Sequence, residues 1–109
     1  MIEFSISSSE VTCLSISGKI LSDADIQPMK DAIDQLDNWK IVIDLSQLTH
    51  TNSSGIAFMV KVLTKSRING GDTVFLNPNT GLTKLFEITK IHEVFTIFDS
   101  FESAKNHFN

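Results

Sequence analysis

Hydrophobic and polar positions alternate along the first part of the chain. Three apolar residues are separated by polar ones: Ile2, Phe4 and Ile6. A period of two is typical of a strand with one buried face, so this segment is predicted to be a half-buried edge strand. The alternation resumes over 11–17 and ends at Gly18, and the short polar break between the two segments predicts an antiparallel hairpin.

The spacing lengthens between Lys19 and Asn38. Four apolar residues there recur every three or four positions: Ile26, Met29, Ile33 and Leu36. This spacing predicts an amphipathic helix. The next run, 41–45, is β-branched and almost wholly apolar, as in a strand with both faces buried, and it is too short to favour a helix. We therefore expect it to be the central strand of a sheet.

A polar segment and a second helical pattern follow this strand. Residues 49–55 carry only small or hydrogen-bonding side chains, which favour turns and helix caps. A helix is expected next, ending near Gly70, because four apolar residues fall at i, i+3, i+4 and i+7: Ile56, Met59, Val60 and Leu63. At about 100° per residue, Phe58 and Val62 lie on roughly the opposite side of this helix, and that side is predicted to face solvent.

The C-terminal third continues the succession of strands and helices. A strand over 73–76 is predicted to pair parallel with 41–45 through a right-handed crossover. A short helix and a last strand over 95–98 follow, and then a final helix with three inward-facing residues: Phe101, Ala104 and Phe108. The predicted fold class is α/β, with a small mixed sheet of four to five strands flanked by about four helices in one domain spanning 1–109.

Composition fits such a domain and argues against several classes of protein. The length of 109 residues, with 41% apolar and 20% charged residues, is ordinary for one soluble domain. No segment approaches the roughly 20 apolar residues of a membrane span, and the N-terminus lacks the pattern of a secretory signal, so we expect a cytoplasmic protein without direct membrane insertion. A formal charge of −4 with scattered cations argues against nucleic-acid binding. The single Cys13 excludes an internal disulfide and is interpreted as a core thiol.

Two serines, Ser53 and Ser54, lie where the second helix is predicted to begin. The first turn of a helix leaves backbone N–H groups unpaired and carries the positive end of the helix dipole, so it can accommodate an anion. A phosphate on Ser53 would bring roughly −1.5 to −2 charges and three acceptor oxygens to that position. The pattern alone also fits a plain helix cap, because serine is common at helix starts.

Enzyme and metal chemistry find little support in the sequence. Ser53 lies in no Gly-x-Ser-x-Gly elbow, and His50 is a candidate base without an evident orienting partner. The three histidines and one cysteine have no zinc-site spacing, and Gly70 and Gly71 form a simple turn instead of a phosphate-binding loop. We expect no catalytic residue, metal or cofactor.

Several segments of the chain resemble the STAS domain, the fold of bacterial anti-sigma factor antagonists. The segments are the strand at 41–48, the turn at 52–56 (Asn-Ser-Ser-Gly-Ile), the Gly-Gly turn and strand at 69–76, the helix at 85–91, and the last strand with its helix start at 94–100. They are spread from position 41 to position 100, and the resemblance is expected to extend over nearly the whole chain.

The resemblance implies a phosphorylation switch. Ser53 matches the serine that a partner kinase, which is also the anti-sigma factor, phosphorylates in this family, and Ser54 and Gly55 match the next two residues. The unphosphorylated form is expected to bind the anti-sigma factor serine kinase and free a sigma factor, and a separate serine phosphatase resets the switch. Asn52 stands where the family has Asp, which removes a negative charge beside the site.

Phe58 and Val62, one turn beyond Ser53, are expected to complete a partner-binding surface with Asn52, Ser54 and Gly55. The alternative is that a C-terminal element covers Phe58 and Val62. Gly55 either permits close approach by a partner or lets the first turn pack on the sheet.

Two further alternatives concern the modification itself. Ser54 and Thr51 are other candidate acceptors of a phosphate. Asn52 also fits a STAS interaction module that is not phosphorylated, such as an accessory subunit of a lipid transport system or a signalling scaffold.

Overall fold

The computed structural model describes residues 2–109. The strands are β1 (Ile2–Ser8), β2 (Thr12–Lys19), β3 (Lys40–His50), β4 (Asp72–Leu76) and β5 (Ile97–Phe98). The α-helices are α1 (Asp23–Ile33), α2 (Ser53–Ile68), α3 (Thr80–Ile88) and α4 (Phe101–Asn106), and a 3-10 turn, Ile91–Glu93, lies between α3 and β5. Within residues 2–109 no helix is both long and apolar enough to cross a membrane.

The five strands form one sheet in the order β1-β2-β3-β4-β5. β1 pairs antiparallel with β2, which confirms the predicted hairpin. The pairs β2–β3, β3–β4 and β4–β5 are parallel, so the sheet is mixed and the predicted α/β class is confirmed. The parallel strands end at the same edge of the sheet, where the segment before α2 lies next to the segments before α1 and α3.

The central strand β3 separates two groups of buried side chains. Ile41, Ile43 and Leu45 belong to the larger core, which α1, α2 and α3 cover. Val42 points to the other face and belongs to a smaller core, where it is joined by Val74, Leu76 and Ala104. Burial on both faces explains why this stretch of the sequence is apolar without alternation.

Within residues 2–109, no helix covers the face of β1 and β2 that lies opposite the main core, and this face carries mostly polar side chains. A shallow cavity of about 230 Å³ there is lined in part by Glu3, Ser5, Ser15 and Asp44. Cys13 lies on this face beside Ser15, with 3.7 Å between Sγ and Oγ, and is only half-buried. The interpretation of Cys13 as a core thiol was therefore wrong, because the alternation of β2 directs it away from the main core.

α2 begins at Ser53, as predicted. Two other predicted details differ from the structure. β3 continues through the polar residues up to His50, because its pairing with β2 extends that far. Ala104 is buried and Phe108 is half-buried as expected, but Phe101 is 43% exposed, because α4 is short and only one side of it reaches the sheet.

Candidate functional site at the start of helix α2

Asn52 is the N-cap residue of α2. Its backbone is extended, with φ −111° and ψ −175°, and its side-chain Oδ1 accepts a hydrogen bond from the Gly55 N–H at 3.0 Å. The Asn52 carbonyl accepts from the Ile56 N–H at 3.2 Å, as the first helical bond. The Asn52 side chain therefore satisfies the Gly55 N–H, one of the N–H groups that the start of a helix leaves unpaired.

Ser53 is the first residue of α2, and its side chain is exposed. Among residues 2–109, neither the Ser53 nor the Ser54 N–H has a hydrogen-bond acceptor. The first turn of α2 contains no acidic residue, so no carboxylate competes for these two donors. The hydroxyl of Ser53 thus lies in water beside two free N–H groups and the positive end of the helix dipole.

The two neighbouring hydroxyls are less accessible. Ser54 is half-buried and lines a cleft between α1 and α2. Thr51 is also half-buried, donates to the Asn52 carbonyl at 3.3 Å and lies against Gly55. Of the three candidate acceptors, Ser53 is the only one whose side chain is exposed.

The segment before α2 is held from two sides. Towards β2, the Ile20 N–H donates to the His50 carbonyl at 2.9 Å, and Thr49 Oγ1 donates to the Gly18 carbonyl at 3.0 Å. Towards α3, Asn79 Nδ2 lies 3.3 Å from the carbonyl oxygens of both Leu48 and Thr49. These contacts fix the position from which Ser53 projects.

Asn79 has a second role as the N-cap of α3. Its Oδ1 accepts from the Leu82 N–H at 2.8 Å. One amide side chain therefore caps α3 and binds the end of β3, so the start of α3 and the segment before α2 are connected directly.

The cleft between α1 and α2 opens next to the first turn of α2. Near Ser54 it encloses about 190 Å³, lined by Asp23, Lys30, Ser54, Ala57, Phe58 and Lys61. A further volume of about 160 Å³ shares Lys30, Phe58 and Lys61 and extends to Lys65. Lys65 pairs with Asp34, whereas Lys30 and Lys61 form no ion pair in the part of the chain that the structure describes. The cleft is therefore lined by both charges: Asp23, Asp31 and Asp34 lie in it together with the lysines.

Phe58 and Val62 are buried, with exposed fractions of 2% and 1%. The prediction that they face solvent was wrong. The buried residues of α2 are Gly55, Phe58, Met59, Val62, Leu63 and Ser66. α2 packs on both the sheet and α1, so more than one side of the helix is buried. Phe58 and Val62 are covered by α1 and not by a C-terminal element.

Gly55 lies inside the protein and not on an exposed surface. A Cβ atom at this position would collide with Thr51 Oγ1 and come within 3.2 Å of the Ile20 side chain. Of the two interpretations of Gly55, the geometry therefore favours packing of the first turn within the chain.

His50 does not act on Ser53 in this structure. Its Nδ1 lies 3.0 Å from Thr49 Oγ1, and no histidine, aspartate or glutamate side chain among residues 2–109 hydrogen-bonds the Ser53 hydroxyl. A serine nucleophile needs an adjacent base. Among residues 2–109, Ser53 therefore has no base bonded to its hydroxyl.

Sequence reasoning missed the residues that α1 and its preceding loop bring to the site. Asp23 and Lys30 reach the cleft because β2 runs parallel to β3, which places the segments after both strands side by side. Leu21, next to the Ile20 that contacts Gly55, is 62% exposed. The sequence did contain a sign that Leu21 is exposed, because it is an apolar residue in a polar turn after a strand.

Comparison with known proteins shows which folds are similar. A family model for the STAS domain matches residues 6–104. A putative anti-sigma factor antagonist from Thermotoga maritima is 20% identical, with a TM-score of 0.85 over 96% of this chain and 93% of that one. The anti-sigma factor antagonist SpoIIAA in its unphosphorylated form is 19% identical, with a TM-score of 0.78 over 98% and 95% of the two chains. The Bacillus cell fate determinant SpoIIAA in its phosphorylated form is 17% identical, with a TM-score of 0.71 over 98% of each chain. At these identities the likeness concerns the fold.

Proposed function

The chain belongs to the STAS domain family, and on this premise we propose that it is an anti-sigma factor antagonist whose binding to a partner kinase is switched by phosphorylation of Ser53. The partner is an anti-sigma factor with serine kinase activity. The unphosphorylated protein binds that partner and frees a sigma factor. Phosphorylation ends the binding, and a serine phosphatase restores it.

The observation that carries this proposal is the position of the Ser53 hydroxyl. It is exposed at the first residue of α2, beside the Ser53 and Ser54 N–H groups that have no acceptor within residues 2–109. A phosphate there gains hydrogen bonds and a favourable helix dipole without rearrangement of the backbone.

The partner-binding surface of this proposal differs from the one that the sequence suggested. It consists of the exposed part of the first two turns of α2 and the cleft beside it, namely Asn52, Ser53, Ser54, Ala57 and Lys61 with Asp23 and Lys30 of α1. A phosphate at the rim of this surface adds roughly −1.5 to −2 charges and a strongly held water shell. Both oppose the docking of a surface that fits the neutral serine.

The chemistry of the phosphoryl transfer belongs to the partner in this proposal. Ser53 supplies the accepting oxygen, and the kinase supplies the nucleotide, the metal and the base. The antagonist contributes only position and exposure. This role is carried out in the cytoplasm, through protein contacts and without nucleic acid or membrane insertion.

The proposal is tested with four variants of the full chain. The partner is first identified by co-purification and mass spectrometry, and its affinity is then measured by calorimetry. Ser53→Ala is expected to bind as the unphosphorylated protein does and to accept no phosphate, whereas Ser53→Asp binds at least tenfold more weakly. Thr80→Ala and Thr80→Asp are the matched controls, because Thr80 is the exposed first residue of α3, also follows an asparagine N-cap, and lies outside this surface. Equal affinities for Ser53→Ala and Ser53→Asp would contradict the switch.

A second candidate function is a STAS interaction module that is never phosphorylated, such as a subunit of a lipid transport system or a signalling scaffold. Asn52 favours it, because the carboxylate that the family has beside the serine is missing here. Intact mass after incubation with the co-purified partner and ATP separates the two functions. A gain of one phosphate in the wild type and none in Ser53→Ala supports the switch. If neither the wild type nor the Asn52→Asp variant gains a phosphate, the result supports the interaction module.

A further inference from the structure

The two edges of the sheet are built differently. β5 forms one edge, contains only two residues, and has α4 packed against it. β1 forms the other edge and contains seven residues, all of which pair with β2 without a register shift. The outer side of β1 therefore presents a straight row of backbone N–H and C=O groups along its full length.

β1 also lacks the features that usually protect an edge strand. Its sequence, Ile-Glu-Phe-Ser-Ile-Ser-Ser, contains no proline, lysine or arginine, and its single charge is Glu3. Ile2, Phe4 and Ile6 face the main core but are only half-buried, because no other strand within residues 2–109 lies beyond them at this edge. Charges, prolines and bulges are the usual means of preventing the addition of another strand. Of these, β1 has only the charge of Glu3, which lies near one end of the strand.

The same strand is complementary to a second copy of itself. The antiparallel register that pairs all seven residues is centred on Ser5, which places Phe4 opposite Ile6 of the partner and Glu3 opposite Ser7 of the partner. No like charges face each other, since the two Glu3 side chains are four positions apart along the strand, or about 14 Å. This separation exceeds the screening length of about 8 Å at physiological salt.

We propose that two copies of this chain associate through β1 in this register, so that the two five-stranded sheets become one sheet around a twofold axis at Ser5. Cross-strand neighbours point to the same face, so the Phe4 and Ile6 side chains of both copies form one continuous apolar row, and the polar faces lie together on the opposite side. The interface involves fewer residues than the roughly 20 to 30 a side of a standard complex, so the dimer is weak, with a dissociation constant on the order of micromolar or above.

Disulfide trapping tests the register. In a Cys13→Ser background, Ser5→Cys places the two new thiols directly opposite each other, within the Cα separation of about 4.4 to 6.8 Å that a disulfide requires. Ser7→Cys is the matched control, because its two copies lie about 14 Å apart in the same register. Mild oxidation is expected to give a covalent dimer with Ser5→Cys and not with Ser7→Cys. No dimer from Ser5→Cys, or equal yields from both variants, overturns the proposal.

Charge substitutions at the same two exposed positions give a second measurement. Ser5→Lys places two lysines opposite each other and should weaken the dimer, whereas Ser7→Lys places a lysine opposite Glu3 of the partner and should strengthen it. The dimer dissociation constants of both variants are measured by sedimentation equilibrium from 1 to 500 μM, roughly the range around the constant expected for the wild type. Any purification tag is placed after Asn109, away from β1. A monomer at every concentration, or the same shift for both lysines, overturns the proposal.

Discussion

Gly55 and Thr51 lie in contact across the N-cap of α2, so that no side chain can be added to Gly55 without displacing the Thr51 hydroxyl. The Ile20 side chain closes the other side of the same space. This contact joins the loop after β2, the segment after β3 and the first turn of α2. The position of Ser53 therefore depends on a glycine that lies inside the protein.

Gly55→Ala is expected to destabilise the protein by about 1 to 3 kcal/mol, the usual cost of overpacking a filled interior. Gly81→Ala is the matched control, because Gly81 also lies in the first turn of a helix but a Cβ there meets only Asn79 Oδ1 at 3.4 Å. This control should be neutral or stabilising by up to about 1 kcal/mol. Urea unfolding measures both.

The double variant Thr51→Ala with Gly55→Ala tests the cause of the Gly55→Ala effect. Removing the Thr51 hydroxyl should recover part of the lost stability, so that the two changes are not additive. Additive losses would show that the contact is not the origin of the effect.

Asn79→Asp is expected to loosen the segment before α2. An aspartate still accepts from the Leu82 N–H, but it cannot donate to the Leu48 and Thr49 carbonyls. Amide hydrogen exchange should become faster at Gly55 and Ile20, whose N–H groups are bound to this segment. Exchange is measured residue by residue by NMR.

A matched control is available at the opposite end of β3. Asn38 Nδ2 donates to the Ser9 and Glu10 carbonyls at 3.2 and 3.1 Å, and its Oδ1 accepts from Lys40. Asn38→Asp removes the same kind of contacts far from the start of α2, so exchange at Gly55 should not change. Equal acceleration at Gly55 in both variants would mean that the effect is global.

The sequence was sufficient for the fold because its strands are unambiguous. The apolar run at 41–45 is buried on both faces, and the alternation of Ile2, Phe4 and Ile6 is a one-sided strand, as predicted. The apolar residues of α2 predicted the wrong buried side, because two of the buried positions are Gly55 and Ser66. Neither residue is counted when a helix face is identified from apolar side chains. Ser66 is buried because its hydroxyl donates to the Leu63 carbonyl and bonds Thr73 Oγ1.

The sequence predicted only the part of the candidate site whose residues are neighbours in one segment of the chain. Asn52, Ser53 and Ser54 follow each other at a helix start, so their positions could be inferred from capping chemistry. Lys30 and Lys61 come together only because α1 and α2 pack side by side on the same face of the sheet. No periodicity within either helix indicates that contact.

Cys13 is expected to react slowly with alkylating reagents. Burial raises the pKa of its thiol above the ordinary value of 9.0, the hydrogen bond with Ser15 lowers it, and the nearby Asp44 carboxylate raises it. Little thiolate is therefore present at neutral pH.

Asp44→Asn should speed alkylation of Cys13 by about two- to fivefold and Ser15→Ala should slow it. Rates are measured with iodoacetamide at pH 7.5–9, roughly the range in which the thiolate fraction rises. The same rate in both variants would exclude electrostatic control.

Asp72 links the end of α2 and the C-terminal segment to the start of β4. Its carboxylate accepts from His107 Nε2 at 3.0 Å, from Arg67 Nε at 3.1 Å and from the Thr73 N–H at 2.9 Å. Burial alone would raise the pKa of Asp72, but these hydrogen bonds and the Arg67 charge outweigh it, so the pKa lies below the ordinary value of 3.8. The folded state therefore binds the Asp72 proton more weakly than the unfolded state does, and Asp72 stabilises the fold above pH 3.8.

This stabilisation should disappear as the pH falls below 3.8 and through the folded-state pKa. Asp72→Asn is expected to lower the free energy of unfolding at pH 7 by about 1 kcal/mol, since the groups are partly exposed. The difference from the wild type should shrink in acid, when the wild-type carboxyl is also neutral. Urea unfolding between pH 2.5 and 7, a range on both sides of roughly 3.9, measures it. Asp37→Asn, which removes an exposed carboxylate without an ion pair in residues 2–109, is the charge-matched reference. A difference between Asp72→Asn and wild type that stays constant down to pH 2.5 would mean that His107 and Arg67 do not stabilise the ionised form.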